Sequence, residues 1–100
     1  MSEARLVEAG PGRWRIEGEL DFATVERLWP RMRELLAAGD LDLDLSAVRA
    51  ANSAGLALLL EAKEAAQRAG HRLRLEQVPG SLRSMAALSN ATGLLGIGAG

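Results

Sequence analysis

Between Leu41 and Ala69 the apolar spacing of the chain changes once, and that change restricts the possible folds more than any other feature. Leu41, Leu43 and Leu45 alternate with Asp42 and Asp44 in "LDLDLSAV", the period-two pattern of a strand with one buried face. In "SAGLALLLEAKEAAQRAG", Leu56, Leu59, Leu60 and Lys63 share a helical face with the alanines beside them, while Glu61, Glu64, Gln67 and Arg68 supply the wet side. Gly70 ends this helix, and alternation resumes in "HRLRLEQV". A strand, an amphipathic helix and a second strand in direct succession make a crossover unit, which joins parallel strands with right-handed connection. The class is therefore α/β.

The rest of the chain extends the same pattern. "ARLVEAG" and "RWRIEG" flank Gly10-Pro11-Gly12, and Trp14 and Ile16 alternate with Arg13, Arg15 and Glu17, so a hairpin is expected there. In "FATVERLWPRMRELLAAG", Val25, Leu28, Met32, Leu35 and Leu36 recur at helical spacing. Asp21 or Thr24 is the candidate N-cap, and Gly39 the stop. Pro30 within this run removes a backbone donor, so a distorted helix is expected. "PGSLRSMAALSNATG" reads as a third helix, with Ser81 as candidate N-cap and Leu82, Met85, Ala86 and Leu88 turned inward; the Gly-rich tail after Gly93 is expected to be loose. The predicted order is β-β-α-β-α-β-α: a mixed sheet of about four strands with helices packed on it, forming one domain over residues 1–100.

Composition removes several kinds of function. The chain is 48% hydrophobic but only 3% aromatic, so its core must be built from Leu, Val, Ile and Ala. A net charge of −1 gives no electrostatic footprint for nucleic acid. With no cysteine there is no thiol or zinc–cysteine chemistry, and the single histidine, His71, is expected at the surface as a strand begins. Asp42 and Asp44 share a strand face, but no third ligand lies nearby in sequence to make a metal or acid–base site. The glycine clusters do not match a dinucleotide or phosphate loop. No catalytic residues, metal or cofactor are expected. The first ten residues carry charge where a secretory leader needs an apolar run, and no stretch is long enough to span a bilayer; a cytoplasmic protein without direct membrane insertion is expected.

The remaining feature is the joint "AANSAGLALLL". Ser53 is a preferred N-cap type, Asn52 suits the turn before it, and small Ala54 and Gly55 allow close packing. The same geometry also places a hydroxyl beside free N–H groups and the positive end of a helix dipole, at the sheet edge where partners tend to bind. Both readings use the same residues.

The segments "IEGELDFATVERLWPRM", "LDLSAVRAANSAGLALLL" and "LRSMAALSNATG" resemble the STAS domains, a family that includes bacterial anti-sigma-factor antagonists and MlaB-type subunits of phospholipid-transporting ABC complexes. The middle segment carries the most specific pattern: a strand ending in Asp44-Leu45-Ser46, a short loop, then Ser53, a small residue, Gly55-Leu56 and an apolar helix. Ser53 falls where the antagonists are phosphorylated. Asn52 departs from the family's usual Asp. "GLALLL" and the surroundings of Leu28-Trp29 look more like the MlaB branch. The resemblance implies a STAS fold and a non-catalytic subunit supporting the ATPase of an ABC complex, with Ser53 as partner-binding or phosphorylation site. It implies a surface of Asn52, Ala54, Gly55, Leu56 and Trp29. The alternative it implies is an antagonist switched by phosphorylation at Ser53, with an anti-sigma-factor kinase as partner; a nucleotide-sensing STAS module is a third class.

Overall fold

In the computed structural model, which describes residues 2–97, the hairpin forms first. Strands β1 (Ala4–Gly10) and β2 (Arg13–Leu20) pair antiparallel, with Leu6 opposite Ile16. Helix α1 (Phe22–Ala38) returns the chain so that β3 (Leu41–Ala51) lies parallel to β2, and α2 (Ser53–Ala69) does the same for β4 (Leu73–Glu76). The sheet order is β1-β2-β3-β4. Helix α3 (Gly80–Leu88) and a short α4 (Thr92–Leu95) close the described chain. This is the mixed α/β sheet and the strand–helix alternation that the spacing predicts.

One sheet face is apolar and the other charged. Ile16, Leu20, Leu41, Leu43, Leu45 and Leu73 are buried in a single cluster with Leu28, Met32 and Leu36 of α1 and Leu58, Leu59, Ala62 and Ala66 of α2. At roughly 25 cal/mol per Å² of apolar area, this contact is the dominant stabilising term. The intervening strand positions pair across the other face: Arg5 with Glu17 at 2.8 Å, Arg15 with Glu17 at 3.1 Å and Arg13 with Glu76 at 2.6 Å. Those ion pairs are partly exposed and each contributes little; what they settle is which face stays wet. Arg31 of α1 lies over the Trp14 ring at 5.3 Å from its centroid.

Several sequence expectations are corrected. α1 continues through Pro30 without a restart. Pro30 and Glu26 are both exposed, so the hydrogen bond that Pro30 cannot donate is missing from the outer side of the helix. Asp21 is the N-cap and Thr24 completes a capping box with it, so the two candidates act together. β3 runs three residues beyond Val48, to Ala51. It carries an extra residue relative to β2 at two places, between the pairs Arg15–Asp44 and Glu17–Ala47 and between Gly18–Val48 and Glu19–Ala50. Each such bulge flips the side-chain alternation, which hides the strand from a period-two reading. At the first bulge the Asp44 carboxylate accepts from the Ser46 N–H at 2.9 Å.

β4 is only four residues long. Gln77 then adopts a φ of 54° and ends the strand. His71 stands before β4, half-buried, and its Nδ1–H donates to the Leu36 carbonyl at 2.7 Å, tying the end of α1 to the start of β4. Pro79, without a side-chain bond, holds the N-cap position of α3, and Ser81 lies inside the helix. Leu88 is 88% exposed rather than inward. The tail is ordered as far as it is described: α4 was not expected, and Leu95 and Ile97 are buried. A four-residue helix has no period to read. The rest of the expected loose tail, residues 98–100, lies outside the described residues.

Candidate functional site

Because β2 and β3 are parallel and end side by side, with Leu20 opposite Ala51, α1 and α2 begin next to one another. The Asn52 N–H donates to the Leu20 carbonyl at 3.1 Å and fixes the two strand ends together. Asn52 has extended backbone, and its Oδ1 accepts from the Ala54 N–H at 2.8 Å. Asn52 is therefore the N-cap of α2. Ser53, the expected cap, is the first helical residue.

This exchange of roles decides what Ser53 is free to do. Only one of the two neighbours is needed to satisfy the start of the helix, and the amide of Asn52 does it. The Ser53 side chain is exposed and its hydroxyl makes no hydrogen bond within the described residues. No acidic residue stands in the first turn of α2, so the partial positive charge of the helix end is not offset locally. At the neighbouring start of α1, Asp21 carries a carboxylate held below its ordinary pKa by hydrogen bonds from the Ser2 hydroxyl and from Thr24.

Gly55 explains how the helix start comes so close to the sheet. A Cβ on Gly55 would lie 3.1 Å from Leu20 Cβ and 3.2 Å from Ala51 Cβ, tighter than ordinary contact. Ala54 and Leu56, at 3% and 8% exposure, pack in the same core. The expected surface through Asn52, Ala54, Gly55, Leu56 and Trp29 is thus not continuous in the free molecule. Asn52 and Ser53 are exposed and Trp29 is half-buried, whereas Ala54, Gly55 and Leu56 lie beneath them and position the helix.

Trp29 lies in a groove between α1 and α2. At the Ser53 end the groove is lined by Val25, Glu26, Trp29 and Pro30 from α1 and by Ala57, Leu58 and Glu61 from α2. Further along, Trp29 and Glu61 are joined by Arg33, Ala65 and Arg68. Phe22, 72% exposed, opens α1 at the same end. The sequence places Glu61 on the wet side of α2 but does not reveal that Glu61 and Ala57 line this groove or that Phe22 is exposed beside it. The signal available was spacing: Val25–Trp29 and Ala57–Glu61 are both i, i+4 pairs on adjacent crossover helices.

Another hollow is lined by Arg5 of β1, Glu17 of β2, Arg27 of α1 and Arg49 of β3, near the C-terminal ends of β2 and β3. No group of three or more His, Asp or Glu capable of holding a metal occurs among the described residues. None of their helices is long and apolar enough to cross a membrane.

A strand followed by an apolar helix with Ser53 at its start is the arrangement that the sequence resemblance implies; the bulges in β3 and the Asn52 cap are what the structure adds to it. The profile of the family described as "Mlab, STAS domain" matches residues 8–96. The chain belongs to the STAS family. STAS domains are non-catalytic, and this chain has no cysteine to supply a thiol. This STAS domain is 36% identical over 75 residues to the intermembrane phospholipid transport system binding protein MlaB of Escherichia coli (strain K12), covering 75% of this chain and 76% of that one. The MlaB of Shigella flexneri matches to the same extent. Among solved structures, the unphosphorylated anti-sigma factor antagonist SpoIIAA superposes with a TM-score of 0.70 at 17% identity, covering 90% of this chain and 83% of that one. The phosphorylated form of SpoIIAA, a Bacillus cell fate determinant, gives 0.69 at 17% identity over 90% and 86% of the two chains. At that identity the likeness is one of fold.

Proposed function

We propose that this STAS domain is a non-catalytic subunit, located in the cytoplasm, that docks on and supports the ATPase of a phospholipid-transporting ABC complex. The whole chain, residues 1–100, acts as one domain in this reading, and membrane association comes through the complex. The observation that carries it is the division of labour at the start of α2. Asn52 caps the helix, so the exposed Ser53 hydroxyl has no structural duty and stands at one end of a groove containing Trp29. Aromatic side chains half-exposed in grooves are the usual anchors of protein interfaces. The name of the relatives, a phospholipid transport system binding protein, supplies the kind of complex. The docking surface in this reading is Asn52, Ser53 and Trp29, held in place from below by Ala54, Gly55 and Leu56.

The second reading, a phosphorylation-switched antagonist of an anti-sigma-factor kinase, draws on the exposure of Ser53. Against it stands Asn52, a neutral amide where the family usually has a carboxylate. Affinity purification of the tagged chain from its native cell, with identification of what co-purifies, separates the two. An ABC ATPase, with permease and lipid-binding partner, supports the subunit reading; a sigma-regulating kinase instead refutes it. Intact-mass analysis of the same sample is expected to show Ser53 unphosphorylated. A predominantly phosphorylated Ser53 would favour the antagonist.

A further inference from the structure

The groove between α1 and α2 has an electrical direction. Both helices start at the same sheet edge and run the same way, so Val25 lies across from Ala57, and Arg33 across from Ala65 and Arg68. The half nearest Ser53 is apolar on its floor and carries Glu26 and Glu61 on its rims. The other half carries Arg33 and Arg68, with Glu61 beside Trp29 at the boundary that both halves share. Glu26, Glu61 and Arg33 are exposed and have no ion-pair or hydrogen-bond partner within the described residues, whereas Arg68 is held by Glu64 at 2.6 Å. From Ala57 to Ala65 the groove extends about 12 Å at 1.5 Å per residue, two turns of a helix.

We infer that this groove, taken as part of the docking surface proposed above, receives a two-turn amphipathic helix of the partner, oriented by charge. That helix presents apolar side chains at i, i+4 and i+7 to Val25, Trp29 and Ala57. It carries Lys or Arg at the Ser53 end, over Glu26 and Glu61, and Asp or Glu at the other end, over Arg33. The argument for a helix is the shape: two parallel helices leave a channel that a third fills by ridge-into-groove packing. The argument for its orientation is complementarity, since the reversed helix would set like charges against both rims, and like charges suppress a wrong register. The half-buried Trp29 at the junction of the two halves is the anchor around which the occupant pivots.

The test has two arms. In the first, the ATPase that co-purifies with the chain is titrated with wild type, Glu61→Arg and Arg33→Glu at low and high salt. Each variant is expected to weaken binding at least ten-fold at low salt, with the difference shrinking as salt rises. Binding of both variants within two-fold of wild type overturns the oriented-helix inference and leaves the subunit reading standing. In the second arm the probe is a designed helical peptide with leucines at i, i+4 and i+7, lysine at one end and glutamate at the other, spin-labelled beside the lysine. Broadening of the Asn52 to Ala57 amide signals supports the inference, even where no ATPase binds and the subunit reading fails. Broadening at Ala69 instead, or no binding at millimolar peptide, overturns it. Thermal unfolding of both variants, which alter exposed side chains only, confirms that they fold.

Discussion

Replacing Asn52 with alanine removes a single hydrogen bond, from the Ala54 N–H to Oδ1 at 2.8 Å. Loss of an Asn cap to Ala costs about 0.5–2 kcal/mol. Ala54 is 3% exposed, so water reaches its orphaned N–H poorly, and the upper part of that range, about 1–2 kcal/mol, is expected. For a domain of this size each kcal/mol lowers the melting temperature by about 4–8 °C. Asn52→Ala should therefore melt some degrees to more than ten degrees lower. Asn52→Asp keeps the acceptor and adds a charge at the helix start, so it should be at least as stable as wild type, by about 0.3–1 kcal/mol. Ser53→Ala, which removes an unengaged hydroxyl, should stay within about 0.5 kcal/mol. The assay is urea and thermal unfolding of the three variants followed by far-ultraviolet circular dichroism. An unchanged Asn52→Ala beside a clearly destabilised Ser53→Ala would reverse the assignment of cap and free hydroxyl, and with it the reasoning about the site.

Gly18 has a φ of 109°, and a Cβ there would stand 2.1 Å from the Glu3 carbonyl oxygen. Gly18→Ala should therefore push β1 off β2 and break the Glu19 N–H to Glu3 carbonyl bond of 2.8 Å, a loss of about 2–4 kcal/mol from strain and bond together; a melting temperature unchanged from wild type would contradict this. Asp44 titrates below the ordinary carboxylate range: burial raises its pKa, but the Ser46 hydrogen bonds and the charges of Arg13 and Arg15 outweigh it. With the folded pKa below the unfolded one, the stabilisation is present above the ordinary Asp value of about 3.9 and disappears as pH falls through the folded value. Asp44→Asn should flatten that acid limb of the stability–pH curve, and an unaltered slope would remove Asp44 from the account.

The crossover units were legible because β3, α2 and the start of β4 each bury one face, and a buried face leaves its period in the sequence. Leu41, Leu43 and Leu45, for instance, alternate until the bulge at Leu45 and Ser46. Beyond it the pairing with β2 holds β3 in place, which no local period records, so the strand reads short. α4 is set by Leu95 and Ile97 entering the core from a Gly-rich segment, again a tertiary fact. At the site, composition identified the joint but not the roles within it. Asn and Ser are both good caps, and only the extended backbone of Asn52 and its bond to Ala54 show which one caps. The groove was half visible: Trp29 could be named from sequence, while Glu61 and Ala57 became its neighbours only when α2 was laid beside α1.

The central claim is that the exposed Ser53 end of α2 is a protein-docking surface and not a structural feature of the free domain. Ser53→Asp tests it directly. In the free domain the added charge lies at a helix start and should stabilise by about 0.3–1 kcal/mol. In a complex it would be buried without a partner, which costs more than the dipole returns. The measurement is calorimetric titration of the co-purifying ATPase with wild type and Ser53→Asp, beside the melting temperature of each free domain. An undiminished melting temperature is expected, with binding and stimulated ATP hydrolysis lost. Wild-type binding and activity in Ser53→Asp would contradict it and place the interface elsewhere on the molecule.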